Sequence, residues 1–193
     1  MSSLAQKHKD INPLLLRKWE RAFNVFFDSN AGGDIDSQDF FLVTKEVKNI
    51  YGQDSVQMGL ARDSMKALWE GLLGMADANK DQHISLDEWI LCLKNANPKS
   101  QPKWFEQYVA YMFKLFDVSA DNVLDLAEYT DGMKAHGLND DESCHKAFKK
   151  FAVDKRGKAL QVIDFNLFKE RWNEYFFSSD KNAPGNHFFG LLD

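Results

Sequence analysis

The sequence predicts an all-α fold of two lobes, each a pair of helix-loop-helix units, compact, with only short β contacts between the paired loops. Three observations predict it. A twelve-residue acidic pattern occurs three times, beginning at Asp28, Asp77 and Asp117. Each copy follows an amphipathic stretch and is succeeded by an aromatic residue, Phe40, Trp89 or Tyr129. The same framework returns around Ile163 and Phe168 without the acids.

The elements follow in chain order. Asn12 before Pro13 reads as an N-cap with proline at the first helical position, and Leu16, Trp19, Phe23 and Phe26 then form one apolar face running into Asp28. Asp54 is placed to cap a long helix through Leu68, Trp69 and Leu72 towards Asp77. Phe105, Tyr108, Met112, Phe113 and Phe116 line the helix entering the third loop, and Asn139 to Glu142 reads as a capping box for the next helix. The exit helices start near Ser37, Leu86, Leu126 and Asp164. Pairing through the eighth loop position sets Ile35 against Ile84 and Leu124 against Ile163. The expected domains are 1–97 (loops 28–39 and 77–88) and 98–178 (loop 117–128 and a degenerate loop 156–167), with a boundary near Pro98. An apolar tail, 179–193, is expected to pack between them through Phe188, Phe189, Leu191 and Leu192.

Composition narrows the class. The 193 residues are 44% hydrophobic, enough for a sizeable core, and include 16 Phe, 5 Trp and 5 Tyr. With 29 acidic against 24 basic residues the net charge is -5, which argues against a nucleic-acid partner. The only cysteines, Cys92 and Cys144, are far apart and in no metal-ligand spacing, so a reducing compartment is expected. No apolar run suggests a signal peptide or a membrane span, and Ser2 stands where myristoylation needs glycine. A cytoplasmic monomer without a stable membrane anchor is therefore expected.

The acidic pattern matches what Ca²⁺ demands, about six to eight hard oxygens drawn from positions 1, 3, 5, 7, 9 and 12 of a twelve-residue loop. This is the EF-hand layout. In the third loop Asp117, Ser119, Asp121, Asp125 and Glu128 offer side chains and Val123 its carbonyl, with Asn122 at the sharp sixth position. In the second, Asp77, Asn79, Asp81, the carbonyl of His83, Ser85 and Glu88 form a complete but less acidic set. There Gln82 replaces the turn glycine, at a cost of roughly 1–2 kcal/mol. The first loop has Asp28, Asn30, Asp34 at the carbonyl position, Asp36 and Asp39, but Gly32 removes the fifth-position oxygen. A water is expected there. Asp39 is shorter than the usual glutamate, which favours six-coordinate Mg²⁺ over Ca²⁺. Counted back from Ile163, the fourth loop would carry Arg156, Lys158, Leu160 and Leu167 at positions 1, 3, 5 and 12, so no ion is expected. Two to three Ca²⁺ ions follow.

These residues resemble the invertebrate sarcoplasmic calcium-binding proteins and, more closely, the calexcitins. The resemblance rests on Asp39, on Asp77-Ala78-Asn79-Lys80-Asp81-Gln82, on Asp117-Val118-Ser119-Ala120-Asp121-Asn122 and on the dead fourth loop. It rests most specifically on the ending, Trp172 to Phe176 and Gly185-Asn186-His187-Phe188-Phe189-Gly190. It implies a helical cytosolic monomer that buffers Ca²⁺, with Mg²⁺ competing at some sites, or a neuronal signalling protein. Gly32 departs from the calexcitin pattern. A photoprotein-like luciferin binder is a remote alternative, because aromatics at helical spacing read as core. An enzyme is not expected: no nucleophile-base pair stands out, and Lys155-Arg156-Gly157-Lys158 lacks phosphate-loop spacing. His8, His136, His145 and His187 show no zinc spacing, and a protein target is not identifiable.

Overall fold

The computed structural model describes residues 3–97 and 100–192, so the boundary expected near Pro98 lies outside the described residues. Nine α-helices are found among them: α1 (Ser3–Lys7), α2 (Pro13–Ala22), α3 (Ser37–Tyr51), α4 (Val56–Ala76), α5 (Leu86–Asn95), α6 (Lys103–Phe116), α7 (Leu126–Ala135), α8 (Asp141–Phe151) and α9 (Phe165–Phe177). Four short strands, β1 (Asp34–Ile35), β2 (Ile84–Ser85), β3 (Val123–Asp125) and β4 (Val162–Asp164), form two antiparallel pairs. Ile35 faces Ile84 and Leu124 faces Ile163. All four side chains are buried, so each pair of loops is joined back to back through one apolar contact.

The helix starts show how local chemistry sets boundaries. Asn12 caps α2, its side chain accepting from Leu14 N at 2.9 Å, with Pro13 at the first helical position. The long α4 is capped by Ser55, not Asp54: Ser55 Oγ accepts from Met58 N at 3.0 Å. Before α8 the cap is Asp140, accepting from Ser143 N at 3.1 Å, in place of a box from Asn139 to Glu142. In both corrections an adjacent residue of equal capping capacity lies one position nearer the helix. The α2 helix does not run regularly into Asp28 but widens into a π-helical turn, Phe23–Phe27.

The aromatic face read from the sequence is the interior. Leu16, Trp19, Phe23 and Phe26 are buried, as are Phe105, Tyr108, Met112, Phe113 and Phe116, and they belong to one contiguous apolar core. Phe27 packs on Trp89 and Tyr108, with centroids 4.8 and 5.9 Å apart. Two indole N–H groups are satisfied within this core: Trp89 donates to Trp19 O at 3.0 Å, and Trp19 donates to Phe176 O at 2.8 Å.

The tail returns to this core. After a 3₁₀ turn, Pro184–His187, Phe188 lies against Phe151, Phe168 and Trp172, and Phe189 against Phe26, Trp172 and Tyr175. Leu191 and Leu192 are only half-buried. Polar contacts hold the backbone: Tyr129 Oη donates to Phe188 O at 2.9 Å, and Arg21 Nε donates to Phe189 O at 3.3 Å. Gly185 is required by close approach, since a Cβ there would lie 2.4 Å from Arg171 O.

One polar group inside the core was not legible from the sequence. Lys18, on α2, is fully buried, and its ammonium donates to Glu174 O (3.0 Å), Ser178 O (2.7 Å) and Asn186 Oδ1 (3.0 Å). Burial lowers its pKa to about 8. Replacing it by methionine leaves three buried acceptors without their donor, so Lys18→Met is expected to destabilise the fold by about 2 kcal/mol or more in urea unfolding at neutral pH. The pH dependence has a definite sign. Between about pH 8 and the ordinary lysine value of 10.5, the unfolded chain holds a proton that native Lys18 has lost. The wild type is therefore expected to gain stability over the variant as pH rises through that window.

Candidate metal centre

In each of the first three loops the entering helix ends with its C-cap at the first acidic position. Asp117 N donates to Phe113 O at 2.8 Å, and Val118 N to Phe116 O at 2.8 Å. The chain then turns so that its own amides face the first carboxylate. Asp117 accepts from Asp121 N and Asn122 N, each at 3.1 Å. Asp77 accepts from Lys80 N, Asp81 N and Gln82 N at 2.8 to 3.2 Å. Asp28 accepts from Gly32 N at 2.8 Å and Gly33 N at 2.9 Å.

Turning the amides inward needs left-handed backbone twice per loop. Positive φ angles occur at the sixth position, Gly33 (91°), Gln82 (64°) and Asn122 (65°), and also at the fourth, Ala31 (57°), Lys80 (63°) and Ala120 (58°). Among the described residues no other non-glycine residue has positive φ. The sixth-position bend was read from the sequence. The fourth was not, because alanine and lysine carry no left-handed preference. Strain of about 1–3 kcal/mol per such residue is sustained where surrounding bonds fix the turn.

The twelfth carboxylate closes each loop. Glu128 accepts from Ser119 N (3.0 Å) and Asp125 N (3.3 Å), and Glu88 from Ala78 N (3.2 Å) and Ser85 N (3.0 Å). Asp39, although shorter, accepts from Asn30 N (2.9 Å) and Asp36 N (2.8 Å). It is buried, and desolvation raises its pKa, so its charge invites a cation. The ninth position doubles as helix cap in all three units: Asp36, Ser85 and Asp125 form capping boxes with Asp39, Glu88 and Glu128.

Convergence differs between the loops. In the third, carboxylate oxygens of Asp117, Asp121 and Glu128 all lie within 4.8 Å of one another, a donor set suited to a hard divalent ion. Asp121 Oδ1 also accepts from Val123 N at 3.0 Å, leaving the Val123 carbonyl unspent by that contact. In the second loop, Asn79 Nδ2 donates to Asp81 Oδ2 at 2.9 Å and Ser85 Oγ to Glu88 Oε2 at 2.7 Å, so these oxygens are internally paired. In the first loop a Cβ at Gly32 would lie 2.6 Å from Asn30 Oδ1. The carboxamide oxygen of Asn30 thus leans over the fifth position that was assigned to water.

A contact between loops was also missed. His83 Nδ1 lies 3.0 Å from Asp34 Oδ2, across the β1–β2 pair. The eighth-position pairing contained the signal, since it sets the two seventh residues diagonally across the strand pair on the same outer face.

The fourth unit is longer than counted. Ala152 N donates to Phe148 O and Val153 N to Phe151 O, the contacts that Asp117 and Val118 make in the third unit. Ala152 therefore occupies the first position, where Arg156 was expected. Ile163 follows Ala152 by eleven positions, against seven from Asp117 to Leu124. The four extra residues fold into a turn closed by a Val153–Ala159 bridge, with Gly157 at φ 77°. Asp154 Oδ1 accepts from Arg156 N (2.8 Å) and Lys158 N (2.9 Å) there, so the loop's acid serves the turn.

Comparisons with known proteins agree with this geometry. No family model matches the chain. It is 51% identical over 193 residues to calexcitin-1 of Caenorhabditis elegans, covering 100% of this chain and 94% of that protein. It is 27% identical over 187 residues to sarcoplasmic calcium-binding proteins I, III and IV of Branchiostoma lanceolatum, covering 93% and 98%. The solved structure of a sarcoplasmic calcium-binding protein from amphioxus superposes with a TM-score of 0.75 at 23% identity, covering 95% of this chain and 100% of that one, a likeness of fold. With three loops of this construction and a calexcitin relative that matches this chain from end to end, the chain belongs to the family of calexcitins and sarcoplasmic calcium-binding proteins, within the EF-hand class.

Proposed function

We propose that this chain chelates Ca²⁺ through its EF-hand loops and acts as a cytosolic calcium buffer, as a monomer and without catalysis. One observation carries the reading: the carboxylates of Asp117, Asp121 and Glu128 converge within 4.8 Å in a loop whose amides already hold them in place. The names of its relatives support it. A bound Ca²⁺ supplies a double positive charge and accepts about six to eight oxygens.

The proposed ligands of the third site are Asp117, Ser119, Asp121, the Val123 carbonyl, Asp125 and Glu128. Those of the second are Asp77, Asn79, Asp81, the His83 carbonyl and Glu88, with Ser85 acting through water. Those of the first are Asp28, Asn30, the Asp34 carbonyl, Asp36 and Asp39, a set that Mg²⁺ also suits. Without a cation, Asp117, Asp121, Asp125 and Glu128 repel one another, and ligation relieves that repulsion in the folded state alone.

Buffering is favoured by the tail. Phe188 and Phe189 are buried among aromatics of the π-helical turn, α8 and α9, so the surface on which a target helix would dock is filled by the chain itself. In this reading the two loop pairs, 1–97 and 98–178, are lobes and 179–193 is their internal plug. One contact favours the second reading, a calexcitin-like signalling protein: Tyr129, next to the ligand Glu128, holds Phe188 O, which links the third loop to the plug. No helix of the described residues is long and apolar enough to cross a membrane.

Calorimetric titration with Ca²⁺, with and without Mg²⁺, tests the reading. Two strong sites and one weaker or Mg²⁺-occupied site are expected, with Glu128→Gln removing one strong site only. Heat from a fourth site, or loss of all binding in Glu128→Gln, would contradict it. Gly32→Asp restores a fifth-position oxygen once the end of Asn30 swings aside, and is expected to strengthen Ca²⁺ binding at the first loop by about tenfold, read in the same titration. Truncation after Pro184 removes the plug and is expected to lower the melting temperature and raise binding of an apolar dye; an unchanged protein would count against the plug.

A further inference from the structure

The seventh position of an EF-hand loop gives its carbonyl to the ion, which leaves its side chain free. In the first two loops those side chains are Asp34 and His83. The β1–β2 register sets Asp34 against Ser85 and Ile35 against Ile84, so Asp36 comes opposite His83. Alternation along a strand then sorts the faces. Ile35 and Ile84 point into the core and are fully buried, while Asp34, Asp36 and His83 share the outer face. One ligand atom from each of these three residues lies within 4.8 Å of the other two, and His83 Nδ1 is 3.0 Å from Asp34 Oδ2.

This set differs in kind from the loops that flank it. Ca²⁺ and Mg²⁺ take oxygen, whereas an imidazole nitrogen beside two carboxylates is the donor set of a borderline ion such as Zn²⁺. Zn–N and Zn–O distances of about 2.0–2.2 Å space tetrahedral ligands about 3.3 Å apart, close to the His83–Asp34 separation. Asp36 caps α3, its side chain accepting from Gln38 N at 2.6 Å and from Asp39 N in the capping box, so an ion here would share a carboxylate that already serves the helix. His83 and Asp34 are side by side on the surface, open to an arriving ion and to water as the fourth ligand.

We propose that Asp34, Asp36 and His83 form a Zn²⁺-class site bridging the first two loops, distinct from the second and third calcium sites and sharing Asp36 with the first. The consequence is coupling. Asp36 is the ninth residue of the first loop, so its carboxylate cannot serve both ions at full strength. Zn²⁺ bound here weakens the first loop for Ca²⁺ or Mg²⁺, by competition for Asp36 and by adding positive charge, and leaves the third loop unaffected. The site uses none of the side chains proposed to hold Ca²⁺ in the second and third loops, so it stands or falls separately from calcium binding there.

The test is a titration of Zn²⁺ into the full-length chain with Ca²⁺ at a level that fills the strong second and third loops and leaves the weaker first loop largely empty. The wild type is expected to take up one Zn²⁺, and His83→Gln and Asp34→Asn each to weaken that uptake by about tenfold or more. Both variants keep the backbone carbonyls, so Ca²⁺ uptake at the second and third loops is expected to stay at the wild-type value, which also reports that they fold. Absence of Zn²⁺ uptake by the wild type, or equal uptake in wild type and both variants, would overturn the proposal. Failure of Ca²⁺ uptake with Zn²⁺ uptake retained would instead count against the calcium reading alone.

Discussion

Each of the first three loops is closed by one carboxylate held by two of the loop's own amides, and the rest of the structure depends on that closure. Glu128, Glu88 and Asp39 each reach an amide at the loop's start and the amide of position nine. The ninth residue is at once the cap of the next helix, so closing the loop also fixes where the exit helix begins. The cost is a left-handed backbone at the fourth and sixth positions, and it is met by amides that converge on the first carboxylate. A loop built this way holds acidic oxygens together against their repulsion, and a cation is the natural completion of it.

The closure is transmitted to the interior. The residue after each twelfth position is aromatic, and Phe40, Trp89 and Tyr129 are all buried. Tyr129 spends its hydroxyl on the backbone of the tail, and Trp89 spends its indole on α2. Lys18 then joins α2, α9 and the 3₁₀ turn of the tail through one buried ammonium. A buried charge satisfied by neutral acceptors is costly, and it gains specificity by accepting only one arrangement of those three segments. The tail is thereby tied to the fold by polar contacts as well as by the burial of Phe188 and Phe189.

Much of this was legible in the sequence because the pattern is local and repeated. The exit-helix starts at Ser37, Leu86 and Leu126 and the facing pairs Ile35–Ile84 and Leu124–Ile163 follow from loop position alone. What was not legible depends on distance or on near-equivalent neighbours. Ser55 and Asp140 replaced adjacent residues as caps because neighbouring side chains compete for the same amides. The longer fourth unit escaped because its register was counted back from Ile163, while the end of α8 carries alanine in place of an acid. Lys18 escaped because a lysine on a helix ordinarily reaches water, and only the packing of α9 and the tail over it shows otherwise.

The central claim is that the closed loops are preorganised for a divalent cation and that the folded state gains by binding it. The most direct measurement is the melting temperature of the chain in a chelator and in rising Ca²⁺, at constant ionic strength. Because binding stabilises only the folded form, each occupied site adds about 2.7 kcal/mol at a hundredfold excess over its dissociation constant, and the midpoint is predicted to climb steadily with Ca²⁺. A midpoint that stays the same from chelator to saturating Ca²⁺ would contradict the account.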